Sequence, residues 1–203
     1  MSIAVAVRRG AVVALATDSM IHFGGEKVPT WNLADPKMRQ VGSAWIAATG
    51  WTVYSNILDD WLASTKRMPS LTSSPAVFRF FNDLWRRLHE RYSFVRDQPD
   101  DHDSPFGDLD STFLVASPGG IFHVASDLSV TRFEQYFAIG SGAPIALGAI
   151  HALKDRDLDA AALAGAGVEA AMTHDLYCGG PVNTAEVRVR KTPATRSPRS
   201  RAK

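Results

Sequence analysis

Ser2-Ile3-Ala4-Val5-Ala6-Val7-Arg8-Arg9-Gly10-Ala11-Val12-Val13-Ala14-Leu15-Ala16-Thr17-Asp18-Ser19 holds two apolar runs joined by Arg9-Gly10. Ile3–Arg8 and Ala11–Ala16 are rich in Val and Ala, and β-branched side chains suit a pleated, buried surface. With a glycine-containing turn between them they predict a β-hairpin. The second run ends abruptly on Asp18-Ser19, a polar pair at the tip of an apolar strand.

Beyond that hairpin the pattern alternates between strands and helices. Asp18–Pro36 reads as a long irregular stretch broken by Gly24-Gly25, Pro29 and Pro36. Ser43–Ala48 predicts a short strand. Tyr54, Ile57, Leu58, Trp61 and Leu62 follow helical spacing, with Thr52 as the expected cap. Ser74-Pro75 opens a second helix whose apolar stripe runs Val77, Phe81, Leu84, Trp85, Leu88, Tyr92. Such a stripe belongs in a core. Residues 97–110 carry six aspartates with two prolines and a glycine and read as an exposed loop. A second hairpin is predicted from Ser111–Val115 and Ile121–Ala125 around Pro118-Gly119-Gly120. A strand over Tyr136–Ile139 leads into Gly140-Ser141-Gly142 and a helix reaching Leu153. Asp159 caps a further helix running to about Tyr177, Gly179-Gly180-Pro181 stops it, and Val182–Arg190 is the last strand. Strand pairs alternating with helix pairs imply an α+β, four-layer αββα sandwich, two stacked antiparallel sheets between helix layers.

The chain has 203 residues, 45% hydrophobic and 21% charged, which suits one globular domain with a substantial core. That domain is expected over residues 2–190, followed by a basic, disordered tail over 191–203. The net charge of +1 hides an asymmetry. Seven basic and no acidic residues lie from Arg188 onward, leaving fifteen basic against 21 acidic residues before it. The tail reads as a solvated end, with no nucleic-acid partner expected. The single cysteine, Cys178, suits a reducing compartment. No segment reads as a signal peptide or approaches the ~20 apolar residues of a membrane span. The expected location is the cytoplasm.

Three blocks carry a resemblance. They are Ser2–Arg8 with Ala14–Ser19; Ala138-Ile139-Gly140-Ser141-Gly142-Ala143-Pro144; and Thr173-His174-Asp175-Leu176-Tyr177-Cys178-Gly179-Gly180-Pro181-Val182-Asn183. In this order they resemble the β-type subunits of the proteasome superfamily, over roughly residues 2–190. Arg8-Arg9 is similar to the HslV branch and the third block to true proteasome β subunits. The mixture, with serine at the nucleophile position, resembles the betaproteobacterial proteasome homologue group.

The resemblance implies an N-terminal nucleophile hydrolase. Ser2 matches the nucleophile, exposed once Met1 has been trimmed. A hydroxyl needs a base at neutral pH, and a free α-amine with a pKa of about 8 lies on the same residue. Taken alone, Ser2 is merely a common second residue. Asp18 matches the family's aspartate that orients a lysine. Lys37 is the candidate for that lysine, with Lys27 the rival; the distance onward to Gly50 suits Lys37, although the gap from Asp18 is longer than the family's. Gly50 resembles the oxyanion-hole position, whose N–H would face a developing negative charge. Ser141 and Asp175 match accessory positions near the nucleophile amine, and Cys178 falls where serine is usual.

The resemblance further implies stacked homo-oligomeric rings, fourteen subunits preferred over twelve, and polypeptide substrates. An unfoldase partner is left open. No metal or organic cofactor is expected, since the six histidines form no ligand-spaced cluster. Two other functions remain open: a different amide hydrolysis on the same fold, and a silent structural ring subunit. The aspartate-rich loop is expected either to line a chamber or to solubilise the outer surface.

Overall fold

The computed structural model describes residues 2–23, 26–28, 30–34, 36–92 and 108–190. Its elements are β1 (Ile3–Arg9), β2 (Val12–Thr17), the short β3 (His22–Phe23) and β4 (Glu26–Lys27), a 3-10 turn (Thr30–Asn32), β5 (Met38–Val41), β6 (Ala44–Gly50), α1 (Thr52–Ser64), α2 (Ser74–Arg91), β7 (Ser111–Ser117), β8 (Gly120–Val124), β9 (Val130–Phe133), β10 (Tyr136–Gly140), α3 (Ala143–Leu153), α4 (Ala160–His174) and β11 (Asn183–Arg188). The tail and most of the aspartate-rich loop lie outside the described residues; of that loop residues 108–110 are described, and Leu109 is buried in the core against the expectation of an exposed loop.

The large strands form two antiparallel sheets, β10-β1-β2-β11 and β5-β6-β7-β8-β9. Three apolar interfaces stack them into four layers. Side chains alternate along a strand, and β1 shows why every one of its first residues is apolar. Ile3, Val5 and Val7 face α3 and α4, where Ile150, Leu163, Ala164, Val168 and Ala171 cover them. Ala4 and Ala6, with Val13 and Leu15 of β2, face the other sheet at Ala47, Leu114, Ala116 and Ile121. The alanines of α4 let that helix approach closely. On the far side α1 and α2 bury Ile57, Leu58, Val77, Phe81, Leu84 and Leu88 against Ile46, Phe113, Phe122 and Val124. The chain is therefore the expected αββα sandwich, with β1 and β2 central in their sheet.

Local differences from the sequence reading have physical causes. β5 and β9 were not anticipated; both are short and charged, as suits the edges of the five-stranded sheet. Trp51, not Thr52, holds the N-cap of α1, and its side chain makes no capping bond. Ser73 caps α2, one residue before the expected start, and Phe80 joins its buried stripe. α4 stops at His174, because Asp175 leaves the helix and its Oδ1 accepts the Tyr177 N–H at 2.8 Å. That side chain-to-backbone bond competes with another helical turn.

Phe81 is fully buried, edge-on to Phe80 and tilted against Phe113 of the neighbouring sheet. Phe81→Ala should cost about 3–5 kcal/mol in denaturant unfolding, as expected for deleting a packed aromatic ring. A loss below about 1 kcal/mol would mean that the α2–sheet interface collapses to fill the cavity.

Candidate active site

β1 and β2 place the first residues of the site. Thr17, the last residue of β2, pairs with Ala4, so Asp18 emerges beside Ser2 and Ile3. The Asp18 N–H donates to the Ile3 carbonyl at 3.3 Å. Asp18 is fully buried. Its Oδ1 accepts from Ser2 Oγ at 2.7 Å, from the Ile3 N–H at 3.1 Å and from Lys37 Nζ at 2.8 Å. Its Oδ2 accepts from the N–H groups of Met20 at 3.3 Å and Gly179 at 3.1 Å. Five donors converge on this carboxylate. Without them, taking a charge out of water would cost several kcal/mol, and breaking such a pair typically costs about 3–5 kcal/mol.

The Gly179 bond belongs to a larger tie between the two ends of the chain. The N–H groups of Ser19 and Met20 both donate to the Gly179 carbonyl, at 3.0 and 2.9 Å. Ser19 Oγ donates to the Pro181 carbonyl at 2.5 Å and accepts from Asn183 Nδ2 at 2.7 Å. The Asp-Ser and Gly-Gly-Pro stretches thus close on each other at the end of β2 and the start of β11.

Lys37, immediately before β5, completes a triangle: its Nζ donates to Ser2 Oγ as well as to Asp18. Burial lowers the Lys37 pKa below the ordinary 10.5, and the charge and hydrogen bond of Asp18 offset part of that fall. Ser2, Asp18 and Lys37, separated by up to 35 positions, are therefore in mutual contact. Lys27 lies in β4, and its side chain is outside what is described.

Gly50 ends β6 with φ +124, in the left-handed range that favours glycine, and an added Cβ would sit 2.2 Å from Ser111 Oγ. It lies on a ridge between two clefts. One, of about 220 Å³, is lined by Ser2, Lys37, Arg39 and the start of α1; the other, of about 320 Å³, by Asp108, Asp110, Ser111 and Ser141. Gly140, with φ +100, carries the opposite wall. A Cβ there would be 2.0 Å from the Ser2 carbonyl, so only glycine lets β10 lie against Ser2.

Ser141 and Asp175 stand further out, and neither is hydrogen-bonded to Ser2 among the described residues. They meet around Cys178 instead: both lie close enough to its thiol to act on it electrostatically. Cys178 is buried, and burial, reinforced by Asp18 and Asp175, pushes its pKa up to about 12. The group stays a neutral thiol near neutral pH, which argues against a thiolate nucleophile. Arg39 and Ser111 were not singled out from the sequence. A charged residue between Met38 and Val41 was the available signal for Arg39; for Ser111 there was none.

The central Ser–Asp–Lys cluster and the four layers around it define the N-terminal nucleophile class of hydrolase. No family model matches the sequence, and no curated protein matches it significantly. Solved structures do. Thiobacillus denitrificans BPH is similar at 32% identity over 94% of this chain and 100% of that one, with TM-score 0.86. The same relative in complex with epoxomicin is similar at 32% identity, with coverage of 93% and 99% and TM-score 0.85. HslV from Trypanosoma brucei, at 18% identity, coverage of 92% and 99% and TM-score 0.63, shares the fold. The chain belongs to the proteasome β-subunit/HslV superfamily of peptidases, in its betaproteobacterial proteasome homologue group.

Lys37→Ala should abolish turnover while leaving assembly intact, and Lys27→Ala should be tolerated. Retained activity in the first and loss in the second, measured on the same peptide, would move the catalytic role to Lys27.

Proposed function

We propose that the chain is a self-compartmentalising endopeptidase subunit with Ser2 as nucleophile, and the contact of Ser2 Oγ with both Lys37 and Asp18 is the observation that carries this reading. Removal of Met1 would free the Ser2 α-amine. The Ser2 hydroxyl hydrogen, which points to Asp18, must then turn to the amine. As Oγ attacks a peptide carbonyl, the amine takes that proton, and Lys37 stabilises the negative charge that builds on Oγ. The Gly50 N–H would receive the oxyanion. Collapse breaks the C–N bond, the amine returns a proton to the leaving nitrogen, and an ester on Ser2 remains. Water, deprotonated by the same amine, attacks that ester; as the C–O bond breaks the amine gives its proton to Ser2 Oγ and the acid product leaves. Asp18 holds Lys37 and the start of β1. Ser141 and Asp175 are the accessory groups that the family resemblance puts near that amine. Every step uses side chains and backbone alone, so no cofactor is required.

The same reading includes a homo-oligomer, two stacked rings with fourteen subunits in total and twelve as the alternative, acting on polypeptides in the cytoplasm. Phe78 on α2 and Leu176 after α4 are 48% and 74% exposed and would be covered at subunit contacts. Among the described residues no helix is long and apolar enough to cross a membrane.

Ser2→Ala should lose peptide hydrolysis by at least about 10³-fold, as when other enzymes lose a nucleophile. Ser2→Thr, which keeps hydroxyl and amine, should remain active. Cleavage of small amides but of no peptide would favour the other amidase chemistry. Light scattering should give an oligomer; a monomer at micromolar concentration would contradict the ring. The rate should follow a bell in pH. It should rise as the α-amine loses its proton near pH 8 and fall as Lys37 loses its own, below the ordinary 10.5 because burial lowers that pKa. An alkaline limb that survives Lys37→Arg unchanged would exclude the lysine as its source.

A further inference from the structure

The cleft beside Ser2 has an unusual lining for a pocket with apolar walls. Met20, Ile21, Leu33 and Ala48 supply those walls, but Arg39, Thr52, Ser55 and Asn56 also line it. Arg39 is held in place rather than free. Its Nε lies against both oxygens of Asp59, at 2.7 and 2.8 Å, and its Nη1 donates to the Pro36 and Met38 carbonyls. A guanidinium has five N–H groups, and no protein acceptor takes those of Nη2 among the described residues. The side chain is 19% exposed, and Arg39 lines the cleft. The polar side chains of Thr52, Ser55 and Asn56 likewise have no protein partner among the described residues. No carboxylate is among the described residues that line this cleft, whereas the cleft across the Gly50 ridge carries Asp108 and Asp110.

We propose that this cleft selects a glutamate or aspartate side chain, so that the chain cleaves peptides after an acidic residue. The inference rests on the reading of Ser2 as nucleophile and adds the substrate class. Ser2 and Lys37 line the same cleft as Arg39, so a residue that offers its carbonyl to Ser2 Oγ can place its side chain beside Arg39. A planar guanidinium pre-set by Asp59 pairs well with a second carboxylate, because its fork is already ordered. The unpartnered hydroxyls and amide add donors around the same position. A leucine there would leave these polar groups without water or partner, which is costly. A lysine would meet two cations.

The test uses the full chain and peptides that differ only at the residue on the acyl side of the cleaved bond: Glu, Gln, Leu and Lys. Wild type should prefer Glu over Gln by about tenfold in kcat/KM, the scale of one charge-assisted hydrogen bond. That Glu-to-Gln ratio should fall about tenfold in Arg39→Gln and remain low in Arg39→Gln/Asp59→Asn. The double variant matters because an unpaired Asp59 would itself repel an acidic peptide. No preference for Glu, or a ratio unmoved in both variants, would overturn the proposal. If no peptide is cleaved at all, the nucleophile reading fails, and calorimetry decides the cleft separately. Ser2→Ala protein should bind a blocked peptide ending in Glu more tightly than its Gln analogue, and lose that difference when Arg39→Gln is added. Equal or undetectable binding of the two would likewise overturn it.

Discussion

A carboxylate with no access to water must be satisfied wholly by the protein, and Asp18 sets that constraint here. Two of its five donors, the Ile3 and Gly179 N–H groups, come from opposite ends of the folded chain. A third is the cation of Lys37, from the segment entering the second sheet. The start of β1, the end of β2, the approach to β5 and the turn before β11 can all be correct only together. The geometry at Ser2 Oγ follows from that agreement, since Asp18 and Lys37 hold the hydroxyl from two sides.

The sandwich supplies the rigidity that such a cluster needs. β1 is covered on one face by α3 and α4 and on the other by the second sheet. Its first residue cannot shift without disturbing both interfaces. Glycine then appears where backbones must come close. Gly140 allows β10 to lie on the Ser2 carbonyl, and Gly50 allows β6 to end against Ser111. The site is thus an edge of the core, and its polar groups are positioned by apolar packing a few residues away.

Much of this is written in local sequence patterns. The apolar alternation of the first two strands, the capped helix over the Phe81 stripe, and the glycine motif before α3 all follow from periodicity and turn chemistry. Asp18 stands out as a polar residue at the tip of an apolar strand. The distance to Gly50 favours Lys37 over Lys27, and Lys37 Nζ lies against Ser2 Oγ. The edge strands were missed because Met38–Val41 and Val130–Phe133 mix charge with apolar residues. Arg39 was missed for the same reason, since a cation on an edge strand reads as solubility until its partner Asp59, twenty residues on, is seen beside it. The end of α4 was misplaced by three residues because Asp175 takes a backbone N–H that helix periodicity alone does not reveal. Pairings between distant segments are what a periodic reading lacks.

In the proposed mechanism one residue supplies both nucleophile and base, which requires Ser2 to carry a free amine. An amide nitrogen cannot act as base, because its lone pair is delocalised into the peptide group. The direct measurement is peptidase activity against intact mass, comparing protein trimmed of Met1 with a homogeneous preparation that retains it. Activity should be proportional to the trimmed fraction and absent from the untrimmed protein, even though its Ser2 hydroxyl is intact. Full activity in protein whose mass shows Met1 still attached would contradict that mechanism.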